Sequence, residues 1–207
     1  MKALIVVDIQ QDFCPGGNLA VKDGDKIVPI INELTQSKLF DLVIFTKDWH
    51  PNNHKSFASQ HNEKNLFEVI SLNGIEQVLW PDHCIQNTDG AEFHKDINLN
   101  INNFYIFKKG MNSEVDSYSG FFENDHKTST GLSEFLKERK IKTVYVCGLA
   151  LDFCCKYTAI DSVSQGFSTY VIMDGTKSIS EEGKKSTITK FIENDIKLID
   201  SKCVLTQ

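Results

Sequence analysis

Six short runs of apolar and β-branched residues recur along the chain, and their alternation with helical or polar sequence narrows the fold more than any other feature. The runs are ALIVVDI (3–9), LVIFTK (42–47), FYIFKKG (104–110), TVYVCG (143–148), STYVIMD (168–174) and IKLID (196–200). Runs of this kind suit strands buried on both faces, which is the habit of parallel sheets. Between the first two, residues 25–38 carry Ile27, Val28, Ile30, Ile31 and Leu34 at mostly helical spacing, with Pro29 tolerable in a first turn. Further helices are expected near 130–139, 153–165 and 181–192, whereas the stretch up to about residue 100 reads as long and irregular. Strands alternating with helices imply right-handed crossovers and therefore an α/β fold, a mostly parallel sheet with helices on both faces in three layers. Residues 1–207 read as a single domain, with no internal repeat, low-complexity tract or linker.

Composition then removes whole classes of function. At 207 residues, 41% apolar and 24% charged, the chain can bury a substantial core. A net charge of -6 and the lack of a basic stripe offer phosphates no attractive field, so nucleic acid is not an expected partner. No apolar run approaches the ~20 residues needed to span a bilayer, so no membrane partner is expected either. The opening MKALIVVDIQ lacks the apolar core and cleavage site of a signal peptide, which makes a cytoplasmic location the expectation. Cysteines at 14, 84, 147, 154, 155 and 203 include a vicinal pair and several inside apparent strands or helices, unlike a disulfide framework, so reduced thiols are expected.

In open α/β sheets, ligands bind beyond the carboxyl ends of the strands. Four strand ends carry chemistry here: Asp8, Asp48 with His50, Lys109, and the segment from Asp152 to Cys155. Each has an ordinary alternative, as a turn former, a solvated lysine or a structural histidine. Together they mark one edge of one sheet.

Two clusters follow from this edge. In KDWHPNNH (47–54), Pro51 biases His50 toward extended geometry, so Asp48 and His50 project from the same face and can chelate. His83, in WPDHC (80–84), would complete an Asp/His/His set with open positions, as in a catalytic rather than a closed structural zinc site. Cys84 would point the other way in extended chain, and His54 is a candidate further ligand or partner of a ligand. At the second cluster, a cysteine opening a helix feels the positive end of the macrodipole beside unpaired N–H groups, both of which favour a thiolate and an oxyanion site. Cys154 and Cys155 differ by about 100° of rotation, so at most one faces a common pocket, and helix geometry does not choose between them. Such a nucleophile needs a proton acceptor, Asp8 or a histidine, and a lysine to hold charge nearby. Cys14, in a Gly-rich loop, and Cys147, inside a strand, fit less well.

Five blocks, VVDIQQDF, DWHPNNHKSFASQH, WPDHCIQNTDGAEFH, KKGMNSEVDSYSGFF and VCGLALDFCCKYTAID, occur in one order from residue 1 to about 175. Together they resemble the nicotinamidases (pyrazinamidases) of the isochorismatase-like cysteine hydrolase superfamily, and the DWHPxxH and WPxHC blocks resemble its metal-binding branch. The resemblance implies a catalytic triad of Asp8, Lys109 and Cys154, with Cys155 a packed neighbour. It implies metal ligands Asp48, His50 and His83 for one divalent ion, zinc first and iron or manganese as alternatives. Phe13 and Trp80 would sandwich a pyridine ring, with Tyr118 in the adjoining wall. A cis peptide at Leu149–Ala150 would aim the Ala150 and Cys154 N–H groups as an oxyanion hole. Leu151 departs from the family's usual Thr. The implied activity is deamidation of nicotinamide to nicotinate and ammonia through a Cys thioester, with pyrazinamide accepted too, in NAD salvage; self-association is left open. A superfamily hydrolase acting on another amide or a vinyl ether, and a zinc-stabilised binding module without activity, are the competing readings.

Overall fold

Residues Lys2–Val7 form β1, whose side chains alternate between two cores: Leu4 and Val6 enter one apolar cluster, Ala3, Ile5 and Val7 the other. All five are fully buried, and each of the four larger side chains contributes about 1.5–3 kcal/mol on leaving water. The strand is pinned from both sides, and so is Asp8 at its end.

The remaining elements of the computed structural model, which describes residues 1–206, run in chain order as α1 (Val28–Gln36), β2 (Leu42–Asp48), β3 (Val69–Leu72), β4 (Ile75–Val78), β5 (Phe104–Lys109), α2 (Leu132–Glu138), β6 (Thr143–Leu149), α3 (Lys156–Ser164), β7 (Ser168–Lys177), α4 (Glu181–Glu193), β8 (Lys197–Ile199) and α5 (Ser201–Leu205). Six strands lie in the order β5-β2-β1-β6-β7-β8, every neighbouring pair parallel. On one face α1 and α5 contribute Val28, Ile31, Leu34 and Val204; on the other α2, α3 and α4 contribute Leu132, Leu136, Ala159 and Phe191. This is the expected α/β sheet covered on both faces. Successive strands run one way from β1 to β2 and the other way from β6 to β8, so the topological switch lies between β1 and β6. The crevice such a switch opens is where ligands bind.

Three local differences from the sequence reading have physical causes. The stretch read as irregular holds an antiparallel hairpin, β3 with β4, turning on Asn73 and Gly74 at φ 52° and 81°. Asn-Gly is a hairpin signal, but the half-exposed strands around it are too short to carry a clear period. The helix expected from residue 153 begins as a wide turn over Leu151–Cys155, closed by Cys155 N–H to Ala150 C=O at 3.1 Å, and becomes α3 only at Lys156. The five-residue α5 is too short for helical periodicity to reveal. Among the described residues no helix is long and apolar enough to cross a membrane.

Candidate active site at the carboxyl edge of the sheet

Asp8 leaves β1 with φ 45°, so its carboxylate turns away from the ladder and toward the switch crevice. Thr46 Oγ1 donates to Asp8 Oδ1 at 2.6 Å, and Lys109 Nζ lies 2.9 Å from Asp8 Oδ2. Lys109 ends β5, whose register sets it opposite Asp48, the last residue of β2. Its ammonium, 3% exposed as a residue, also donates to Asp48 Oδ1, to Ser117 C=O at 2.8 Å and toward Cys154 Sγ at 3.6 Å. One carboxylate oxygen from each of Asp8 and Asp48 and the sulfur of Cys154 lie within 4.8 Å of one another. Sequence separations of a hundred residues and more therefore close to one hydrogen-bond shell.

Burial sets the electrostatics of this cluster. It pushes the Asp8 carboxyl up to about 6, the negative Asp48 adds to the rise, and the Lys109 ammonium holds it partly back. Asp48 is penalised by burial too, but Lys109 and the flanking histidines outweigh that and keep it below the usual carboxylate range. Lys109 stays charged because two carboxylates more than offset its own desolvation. Cys154 differs from the expectation of a helix-stabilised thiolate: desolvation and the two nearby carboxylates push its thiol well up, against Lys109. It rests as a thiol whose proton has an acceptor, Asp8, beside it. Cys155 is fully buried in the apolar cluster, its thiol raised by desolvation first and by Cys147, Asp8 and Asp152 after it.

Asp48, His50 and His83 also converge, each offering a ligand atom within 4.8 Å of the other two. His50 Nδ1 donates to Gly110 C=O at 2.8 Å, and His83 Nδ1 donates to Pro81 C=O at 2.7 Å. Carbonyls only accept, so both rings carry their proton on Nδ1 and present the Nε2 lone pair inward. The first of these bonds needs glycine: at φ 63°, any Cβ on residue 110 would strike the His50 imidazole. Burial opposes charge on His50, but Asp48, 3.7 Å from its Nε2, overrides it and raises the ring's affinity for a proton or another cation. Burial and neighbouring His50 push His83 down to about 4, leaving it neutral. The neutral His83 lone pair, the His50 Nε2 once an ion takes the place of its proton, and the Asp48 carboxylate make a donor set that fits one divalent ion. The His54 ring lies 4.3 Å from the His50 ring, tilted 47° to it, and its Nδ1 accepts from the Ser56 backbone N–H at 3.2 Å. Nδ1 also lies 2.7 Å from Ser56 Oγ, Nε2 is a fully buried atom with no hydrogen-bond partner among the described residues, and His54 offers a ligand atom within 4.8 Å of ones from His50 and Asp116.

A cleft opens above both clusters. Phe13, Trp80, Tyr118 and Phe153 line it together with Asp48, His83, Cys154 and Ala150. Trp80 donates from Nε1 to the Tyr118 hydroxyl at 3.0 Å and meets Phe153 edge-on at 4.9 Å, so the wall is held by its own contacts. The Leu149–Ala150 peptide is cis. Leu151 packs into the apolar cluster at 2% exposure, where a Thr hydroxyl would need a partner. The sequence reading did not single out Asp116, a buried carboxylate in the cleft wall that accepts from Gln77 Nε2 at 3.1 Å, nor Phe153 or Thr46. Asp116 lies inside the quoted block DSYSGFF, and only an interest in its carboxylate could have found it.

Comparison with known proteins adds to this geometry. Residues 2–202 match the model of the isochorismatase domain. A nicotinamidase of Acinetobacter baylyi is 47% identical over 204 residues, covering 98% of this chain and 94% of the relative. The structure of an Acinetobacter baumanii nicotinamidase and pyrazinamidase superposes with a TM-score of 0.94 at 49% identity, over 99% of this chain and 98% of that one. A Pyrococcus horikoshii pyrazinamidase, solved in complex with zinc, superposes with a TM-score of 0.79 at 36% identity, over 96% and 98%.

Proposed function

The chain belongs to the isochorismatase domain family, and from that premise we propose that it is a cysteine amidohydrolase that converts nicotinamide to nicotinate and ammonia. Pyrazinamide, which presents a carboxamide on a flat six-membered ring with one more nitrogen, is its second substrate, and NAD salvage is the setting. The observation that carries this reading is the convergence of the Cys154 thiol, the Asp8 carboxylate and the Lys109 ammonium beside an aromatic cleft, next to a second convergence of Asp48, His50 and His83.

Phe13, Trp80 and Tyr118 hold the aromatic ring and exclude water, which leaves the carboxamide carbon over Cys154. Asp48, His50 and His83 would hold one divalent ion, zinc by the donor set, although iron or manganese accepts the same ligands. Bound there, the ion supplies a Lewis acid for the substrate's ring nitrogen. Asp8 takes the Cys154 proton as sulfur attacks the carbonyl carbon. Negative charge developing on the carboxamide oxygen meets the backbone N–H groups of Ala150 and Cys154. Asp8 then passes the proton to the departing nitrogen, ammonia leaves, and water cleaves the thioester to the carboxylate. Lys109 keeps Asp8 ionised at neutral pH and offsets the charge that gathers on sulfur.

Ammonia release from nicotinamide tests the reading. The parent protein should release it, and Cys154→Ala and chelator-treated protein should not. A parent protein that leaves nicotinamide untouched while its Cys154 reacts with thiol reagents would point to another amide.

A further inference from the structure

We infer that Gln10 and Asp12 are positioning residues that assemble the metal-ligand arms before any ion binds. The inference deepens the reading above, since it rests on Asp48, His50 and His83 being the ligands.

The problem they solve is created by Asp8. β1 pairs with β2 only through Val6 opposite Phe45, and then the chain turns out of the ladder at Asp8. Asp48 thus keeps a backbone partner strand on its β5 side and loses one on its β1 side. Gln10, fully buried, fills that gap with its side chain: Oε1 accepts from Asp48 N–H at 2.8 Å, and Nε2 donates to Asp48 C=O at 2.8 Å. A primary amide is chemically a peptide unit, so it continues the ladder where the strand itself has left. The second hydrogen of Nε2 donates to Ala91 C=O at 2.9 Å, tying the first arm to the loop that follows the second.

Asp12 does the corresponding work on the other arm. Its Oδ2 accepts from the Cys84 N–H at 2.7 Å, next to His83, while Oδ1 accepts from the Asn18 N–H at 3.1 Å. Cys84 has φ 46°, a left-handed conformation that a non-glycine residue adopts only at a cost. A charged acceptor on its N–H holds it there and so fixes the departure of His83. The carboxylate reaches in because residue 90 is glycine: any Cβ there would overlap the Asp12 carboxyl group. The arms are then joined directly, His50 N–H to Cys84 C=O at 3.0 Å and Gln86 N–H to His50 C=O at 2.8 Å. One segment, Asp8 to Phe13, therefore supplies a proton acceptor, a clamp for each arm and a wall of the cleft.

The test is zinc affinity, measured by competition with a chromophoric chelator on folded, metal-stripped protein. Gln10→Met and Asp12→Ala should each weaken zinc by roughly 10–100-fold, the usual effect of removing a group that orients a ligand. Asp12→Asn, which keeps an acceptor for the Cys84 N–H, should recover most of the affinity lost in Asp12→Ala. Val144→Ala, which hollows the core beneath the start of β6 where Val144 is fully buried, should lower the melting temperature but leave zinc affinity at the parent value. Parent-like affinity in both Gln10→Met and Asp12→Ala would overturn the inference, as would an equal loss in Val144→Ala. A parent protein that does not bind zinc would instead sink the assignment of Asp48, His50 and His83.

Discussion

The proposed nucleophile and the proposed metal-ligand arms are built by opposite means. Cys154 stands on one uninterrupted stretch, β6 running into the wide turn and α3, where regular backbone hydrogen bonds do most of the positioning. The metal arms come from Asp48 at the end of β2 with the loop after it to residue 54, and from the loop 80–84; beyond the strand they have little regular structure and are held by side chains bonding to backbone: Gln10 to Asp48, Asp12 to Cys84, His50 to Gly110 and His83 to Pro81. A strand followed by a helix N-terminus gives a rigid but stereotyped site. Side-chain clamps bring the two loop ligands, His50 and His83, within 4.8 Å of the one at the strand end, Asp48, at the cost of many individually breakable bonds. The difference predicts that chemistry lost at the nucleophile is lost outright, whereas function at the metal arms is graded.

The strongest test of that contrast is Cys154→Ala, which should lower turnover by roughly 10⁴-fold or more while zinc affinity stays at the parent value, read from ammonia release and chelator competition on one sample. Its neighbour Cys155→Ala should cost only stability, seen as a lower melting temperature, since its sulfur faces the apolar cluster. Next in size is His83→Ala. Zinc binding should weaken by several orders of magnitude and activity with it, yet the protein should fold and Cys154 should still be alkylated, because the sheet does not depend on the arm. A smaller effect is expected from pH. Asp8 titrates near 6 and accepts a proton only when ionised, so kcat/KM should be flat above that value and fall roughly tenfold per unit below it. Replacement of Asp8 by Asn should abolish activity along with that limb. Smallest is Asp152→Ala, which strips the acceptor from the Ile179 and Ser180 N–H groups ahead of α4. A loss of about 1–3 kcal/mol in unfolding free energy is expected, since two backbone donors lose their partner.

Legibility in the sequence followed the same division. All six strands of the sheet were marked by apolar runs, the central ones because a strand buried on both faces must be apolar throughout, and the strand ends drew attention to Asp8, Asp48 with His50, Lys109 and the segment Asp152 to Cys155. The metal arms have no periodicity, so Asp48, His50 and His83 were visible only as residue types with ligand chemistry at suitable spacing. What went unread was whatever acts through the backbone. Gln10 looks like any polar residue after a strand, and nothing local says that its amide replaces a missing peptide. The β3–β4 hairpin escaped for a related reason, its strands being short and half-exposed. The elevated thiol of Cys154 could not be read either, because desolvation depends on what the fold places around the sulfur rather than on its neighbours in the chain.

The account stands on Cys154 as the atom to which the acyl group passes. Protein quenched in acid during turnover of nicotinamide, digested and weighed by mass spectrometry, should carry a nicotinoyl group on the peptide containing Cys154, and fragmentation should assign it to that residue. A nicotinoyl group found on Cys155, or undiminished ammonia release from a Cys154→Ala protein, would contradict it.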